Sequence, residues 1–322
     1  MSMRRANPQM QAVLDSLASL NPKPIETLTP EEARRQPTIA GAVKALIQKR
    51  GETPTPEPVG KVEDRTIPGA AGQIQARIYT PAAKGPFPVV VYFHGGGWVI
   101  ATIDTYDSSA RALTNAANAI VISVEYRKGP ENKFPAAHDD AFAAYRWAIA
   151  NAQSFGGDAS KIAVAGESAG GNLACAVSMM ARDRKVQMPV HQLLVYPVAN
   201  NDLNSPSMIE NANAKPLNRA MLPWFLKHYL KSQSESSNPM ISLVKANLRG
   251  LPPTTLITAE IDPLRSEGQL LAERLSAASV RVDARNYDGV THEFFGTGAV
   301  VDKAREAVAQ AGMGLRTAFG NK

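Results

Sequence analysis

Ser168 stands in Gly166-Glu167-Ser168-Ala169-Gly170-Gly171, a serine flanked two residues away on each side by glycine. Residues 161–165 before it, apolar after Lys161, read as a buried strand, and residues 172–182 after it read as a buried helix. A serine at such a strand-to-helix turn is the nucleophile elbow G-x-S-x-G. The turn is so tight that side chains at 166 and 170 would strike neighbouring strands. The serine is left in a strained conformation that points its hydroxyl outward. The helix N-terminus behind it offers unpaired N–H groups to a developing oxyanion.

An activated serine needs a base, an acid to orient that base, and donors for the charge that develops. The donors are expected in His94-Gly95-Gly96-Gly97-Trp98, after an apolar strand ending at Phe93. Three bare glycine amides can approach a substrate oxygen closely. The loop lacks G-x-G-x-x-G spacing and has no Lys-Ser/Thr after it, which makes a nucleotide-phosphate loop a poor reading. His94 is expected to hydrogen-bond the loop backbone and, with Gly97, hold its shape. The acid is Asp262, between a buried strand and a proline that starts a helix, where it can also serve as a helix cap. Glu260, Asp283 and Asp288 are its rivals. Of the five histidines, His292 alone follows Asp262 in the chain. The order serine, acid, histidine is that of the α/β-hydrolases rather than of the two protease arrangements. No histidine pair has zinc-ligand spacing and no carboxylate cluster accompanies one, so neither metal nor cofactor is expected.

These residues need a rigid platform. Strands at 88–93, 119–124, 161–165, 191–196, 254–259 and 281–287 alternate with helices at 136–150, 172–182, 263–277 and 300–317. That rhythm predicts a mainly parallel, doubly wound sheet, with the candidate residues at its strand carboxyl ends. Alternating residues at 62–66 and 74–79 around Gly69–Gly72 predict a hairpin at one sheet edge. Upstream, residues 9–20 form one amphipathic helix and residues 30–49 a second, capped by Thr29 with Pro30 in its first turn. The proline-rich stretch 51–58 is a connector.

Composition narrows the class. At 44 % hydrophobic and 20 % charged, the 322 residues are those of an ordinary globular chain, with one large domain plus insertions expected. The net charge of +6 is dispersed, so no nucleic-acid footprint is expected. Cys175, the one cysteine, excludes an intrachain disulfide and falls on an apolar helix. No apolar segment follows the basic start Met1–Pro8 and no run reaches membrane-spanning length; a cytoplasmic protein is expected.

The motifs together resemble the hormone-sensitive-lipase-like branch of the α/β-hydrolases, the bacterial carboxylesterases called family IV. The matching stretches are His94–Trp98, Glu125–Glu131, Phe134–Ala137, Gly166–Gly171, Asp262–Leu264 and His292–Phe294, spanning most of residues 60–320. The resemblance implies an α/β-hydrolase fold of about eight strands with a helical cap. It implies Ser168 as nucleophile, His292 as base, Asp262 as orienting acid, and the amides of Gly95, Gly96 and Ala169 as the oxyanion hole. Glu167 replaces the commoner Asp of the elbow, and Ser266 stands where an acid often follows Asp-Pro-Leu-Arg.

The same resemblance divides the chain into an arm (1–58), a core (59–199), a cap insertion (200–235) and the rest of the core (236–322). Residues 200–213 read as a polar loop, and residues 218–230 as a helix so apolar that it must cover something. Trp98, Leu217, Met221, Leu222, Phe225 and Val290 are expected to line the pocket. The expected substrate is a small carboxylic ester of short to medium chain length, and the resemblance implies a homodimer. An amidase, thioesterase or peptidase would use the same residues, and a non-catalytic small-molecule receptor of this fold is a further alternative.

Overall fold

The structure, a computed structural model, describes residues 5–320. Residues 1–4, half of the basic start read for a leader, and residues 321–322 lie outside the described residues. Helix α1 (Pro8–Ser19) is capped by Asn7, whose side-chain oxygen accepts the Met10 amide at 2.9 Å. The single helix expected over 30–49 is two. α2 (Pro30–Ala33) opens on a Thr29–Glu32 capping box, and α3 (Ile39–Lys49) restarts with Thr38 as a new cap. Pro37 is the reason: it lacks an N–H and disfavours helical backbone at the residue before it.

Strands β1 (Lys61–Gly69) and β2 (Gly72–Thr80) form the hairpin, in unbroken antiparallel register. Then follow β3 (Phe87–Phe93), α4 (Asp107–Ala117), β4 (Ile120–Glu125), α5 (Ala136–Asn151), β5 (Gly157–Glu167) and α6 (Ala169–Asp183). After β6 (Gln192–Val195) come α7 (Pro206–Glu210), α8 (Met221–Tyr229), β7 (Thr254–Ile261), α9 (Arg265–Ala277), β8 (Val282–Thr291) and α10 (Asp302–Ala318). Two of these helices lie where none was expected. α4 buries Ala110, Leu113, Thr114 and Ala117, so its inward stripe has one large apolar side chain and little hydrophobic signal. α7 interrupts the stretch read as loop, starting at Pro206 where a first-turn proline costs no hydrogen bond.

The eight strands form one sheet in the order β1-β2-β4-β3-β5-β6-β7-β8, antiparallel at the two β2 pairings and parallel elsewhere. Alternate residues of each strand feed opposite faces. Val89, Val91 and Phe93 join a core with α5, α6 and α9, whereas Val90 and Tyr92 join one with α1, α3, α4 and α10. All seven residues of β3 are buried, and each large apolar side chain so placed stabilises the fold by about 1.5–3 kcal/mol. The chain winds from β3 to β4 on one side and returns to β5 on the other. The crevice for a ligand therefore opens above the carboxyl ends of β3 and β5.

The elbow is as crowded as its glycines imply. A Cβ at Gly170 would lie 1.9 Å from the Phe93 carbonyl oxygen, on a neighbouring strand as expected. A Cβ at Gly166 would instead meet the Gly170 carbonyl oxygen at 2.0 Å, in the elbow's own helix. Neither obstacle is a side chain that can swing away. Gly170→Ala is expected to lower stability by about 3 kcal/mol or more, read as a fall in the urea midpoint. An unchanged midpoint would show that the turn can open.

Candidate active site

Ser168 sits between β5 and α6 at φ 57°, ψ −120°, a conformation that L-residues seldom adopt. Surrounding backbone holds it there. Its N–H donates to Val195 O at 2.9 Å, and its carbonyl accepts from the amides of Asn172 and Val198, each at 3.1 Å. The hydroxyl oxygen lies 2.9 Å from Nε2 of His292, in the turn after β8. Nδ1 of His292 lies 2.7 Å from Oδ2 of Asp262, in the turn after β7. Asp262 is not the cap of α9, which begins at Arg265. Its Oδ1 instead accepts the Leu264 amide at 2.8 Å, closing the Asp-Pro-Leu turn. That bond fixes the carboxylate and leaves the second oxygen for the imidazole. The rivals point elsewhere: Glu260 accepts the Gly289 amide, Asp283 the Gln310 side chain, and Asp288 the Asn286 side chain.

Asp262 is 0 % and His292 3 % exposed. Burial alone would disfavour the imidazolium. The charge and hydrogen bond of Asp262, with Glu293 and Glu167 beyond, outweigh it and hold the His292 pKa above the ordinary histidine value. The imidazole also packs against Tyr196, with ring centroids 4.5 Å apart.

The glycine loop leaves β3 alongside the elbow. Neither the Gly95 nor the Gly96 amide finds an acceptor among the described residues. The Ala169 amide is the first of α6, beyond the reach of intrahelical carbonyls. His94 packs inside the loop. Its Nδ1 lies 2.7 Å from Gly95 O, and its ring stacks on Tyr126 at 4.4 Å, whose hydroxyl donates to His94 O at 2.7 Å. Nε2 of His94 faces Glu125 at 3.6 Å. Burial raises the Glu125 carboxyl, but His94 and Lys128 more than reverse this and bring it down to about 2. A Cβ on Gly97 would lie 2.3 Å from the Phe225 ring, so the bare backbone lets α8 close onto the loop.

Ser168 and His292 open into a cavity of about 1160 Å³. Trp98, Leu217, Met221, Leu222 and Phe225 line it, as do Gly96 and Gly97. Val290 does not. It is fully buried in the core shared with α1 and α10, on the same side as Tyr287 three residues earlier, because the pairing of β8 with β7 shifts register between Tyr287 and Thr291 and the simple alternation of the strand is broken there. The cavity's far wall comes from the arm, through Leu14, Leu17, Ile25, Arg34 and Ile39. The arm is fastened over the site at two places. Trp224 Nε1 donates to Leu28 O at 3.0 Å. The Arg34 guanidinium spans Val99 O, Gly129 O and the Glu131 carboxylate. Among the described residues no cluster of potential metal ligands is found, and no helix is long and apolar enough to cross a membrane.

A family model described as the alpha/beta hydrolase fold matches residues 90–296. The chain belongs to the α/β-hydrolases, in their hormone-sensitive-lipase-like branch. It is 41 % identical over 292 residues to the carboxylesterase NlhH of Mycobacterium tuberculosis, covering 88 % of this chain and 91 % of that one. It is 38 % identical over 243 residues to an arylesterase of Saccharolobus solfataricus, covering 75 % and 79 %. A solved hyperthermophilic esterase from Pyrobaculum calidifontis superimposes with TM-score 0.88 at 37 % identity, covering 98 % of this chain and 99 % of that one. The chain is a serine hydrolase of carboxylic esters.

Within this hydrolase both departures from the family pattern have a place. Ser266 and Ser207 exchange hydrogen bonds, each amide donating to the other's hydroxyl oxygen at 2.9 and 3.0 Å, and so tie α9 to α7. Glu167 is buried and accepts hydrogen bonds from the hydroxyls of Tyr92, at 2.7 Å, and Tyr196. Tyr196 was not singled out from the sequence. Its signal is an aromatic residue just past the carboxyl end of β6, the strand beside the elbow strand.

Proposed function

We propose that Ser168, His292 and Asp262 are the catalytic triad of a two-step acyl transfer on short- to medium-chain carboxylic esters. The observation that carries this is the unbroken chain of contacts, 2.9 Å from Ser168 Oγ to His292 Nε2 and 2.7 Å from His292 Nδ1 to Asp262 Oδ2. Nε2 takes the hydroxyl proton as Oγ attacks the ester carbonyl carbon. The amides of Gly95, Gly96 and Ala169 hold the oxyanion, each contributing about 3 kcal/mol to the barrier reduction. The tetrahedral intermediate collapses as His292 gives its proton to the leaving alcohol. His292 then takes a proton from a water that attacks the acyl carbon, and returns it to Ser168 Oγ as the acyl–oxygen bond breaks and the acid leaves. Asp262 holds the imidazole tautomer and stabilises its charged form throughout.

Residues 1–58 and 200–235 act as a cap in this reading, and 59–199 with 236–322 as the core. The support is that both cap segments line the cavity and meet at Trp224 and Leu28. A cavity of about 1160 Å³, above the usual small-molecule range of about 300–1,000 Å³, has room for a medium acyl chain. We place the enzyme in the cytoplasm, on its single buried cysteine. We also propose a homodimer formed along β8, a terminal strand of the sheet; light scattering at monomer mass would refute it.

The test is a panel of p-nitrophenyl esters from acetate to palmitate beside a matched anilide and thioester. kcat/KM is expected to peak between the butyrate and octanoate esters, with the anilide far slower. A maximum at palmitate, or an anilide as fast as the ester, would overturn the substrate class.

A further inference from the structure

Two carboxyl groups that the acyl-transfer steps leave unused flank the reacting pair. Glu167 precedes the nucleophile and Glu293 follows the base. Glu167 is 1 % exposed, whereas Glu293 is half-buried and also reaches the main cavity. Both line a second, small cavity of about 20 Å³ together with Tyr106 and Ser109, enough for a single water. Tyr106 donates to Glu293 at 3.1 Å, while Tyr92 and Tyr196 donate to Glu167. No lysine or arginine pairs with either carboxyl among the described residues. The charged or titratable groups that face Glu167 are Tyr92 from β3, Tyr196 after β6, Tyr106 before α4, His292 and Glu293. Those that face Glu293 are Tyr106, Tyr196, His292, Asp262 and Glu167. His292 is thus the one of these groups able to become a cation.

Two carboxylates on one small cavity without a fixed cation cannot both ionise cheaply. Glu293 is moreover held at φ 64°, a left-handed conformation that glycine would adopt with less strain. A side chain kept there against that strain points to a use for its carboxyl.

We propose that Glu167 and Glu293 share one proton at neutral pH, and that the single negative charge left on the pair tunes the basicity of His292 from behind the triad. The pair positions and charges the base without touching substrate. Burial raises the Glu167 carboxyl, and the charge of Glu293 adds to this against the surrounding hydroxyls. Burial likewise raises Glu293, opposed by His292 and Tyr106. Both carboxylates push the His292 pKa upward. When either one is replaced by its amide, the other loses its competitor for the charge and ionises.

The inference has two arms, and only the kinetic one rests on the proposed ester hydrolysis. In infrared difference spectra at pH 7, a protonated-carboxyl absorption present in the parent is expected to vanish in both E167Q and E293Q. Glu267, buried and raised to about 8, holds its own proton and cancels in the differences. Retention of the band in either variant would overturn the pair. In the kinetic arm, the acid limb of kcat/KM is expected to move down by about one pH unit in E167Q/E293Q. The two single shifts should sum to clearly less than this, because each single variant keeps one charge. Additive shifts, a single variant equal to the double, or an unmoved limb would overturn it. E293G suits the left-handed backbone and replaces E293Q if that variant does not fold. If no variant and no parent hydrolyses esters, the function has failed and the infrared result still decides the pair.

Discussion

Ser168→Ala is expected to lower ester turnover about 10⁶-fold. The reasoning rests on a single atom. Oγ is the group within 2.9 Å of the His292 nitrogen, and the one thiol does not replace it: Cys175 is fully buried, its pKa pushed up to about 12 by burial. The residual rate should still exceed that of water about 10³-fold, because the amide donors and the binding cavity remain. Alanine keeps the backbone bonds to Val195, Asn172 and Val198 and the same left-handed strain. Stability should therefore change by less than about 1 kcal/mol. The check is steady-state hydrolysis of p-nitrophenyl acetate beside a urea melt of the same sample. A folded variant within tenfold of the parent rate would end the triad assignment.

Asp262→Asn is expected to cost about 10⁴-fold in kcat, with a pH signature the serine variant lacks. Asparagine still offers an oxygen to the Leu264 amide, so the Asp-Pro-Leu turn survives. Toward His292 it presents an N–H₂ or a neutral oxygen in place of a charged acceptor. The imidazole then has no reason to keep its proton on Nδ1, and the nitrogen facing Ser168 ceases to be a base. The sign of the pH effect follows. Turnover needs neutral His292, so activity falls as pH drops through its pKa. Asp262 raises that pKa, which puts the parent's acid limb above the ordinary value of about 6.5. Loss of the carboxylate removes the upward push, so the limb moves to lower pH while the plateau falls. An acid limb that stayed in place, measured by kcat/KM from pH 5 to 9, would show that Asp262 does not act on His292 through its charge.

Much of the platform was legible because it is written in local terms. Apolar runs of strand length, glycines at sterically closed turns and prolines at helix starts each act within a few residues. The elbow, the hairpin and the alternating strands could be read from them. The break at Pro37 was legible too, since proline disfavours helical backbone before it, yet the amphipathic pattern on either side masked it. α4 was hidden because alanine and threonine fill its inward stripe, leaving one leucine to mark the period.

The sequence by itself determined the proposed chemistry: which serine, which histidine and which acid to propose, and in what order, because elbow sterics and strand-end placement leave few candidates. Only the tertiary structure decided what surrounds them. Ser168 and His292 are 124 residues apart, and the strand order that brings their loops together also put Val290 in the core, the arm over the cavity and Glu167 beside Glu293. Those neighbours follow from how helices pack on both faces of a twisted sheet, and a periodic pattern along one segment carries no record of which distant segment it will face.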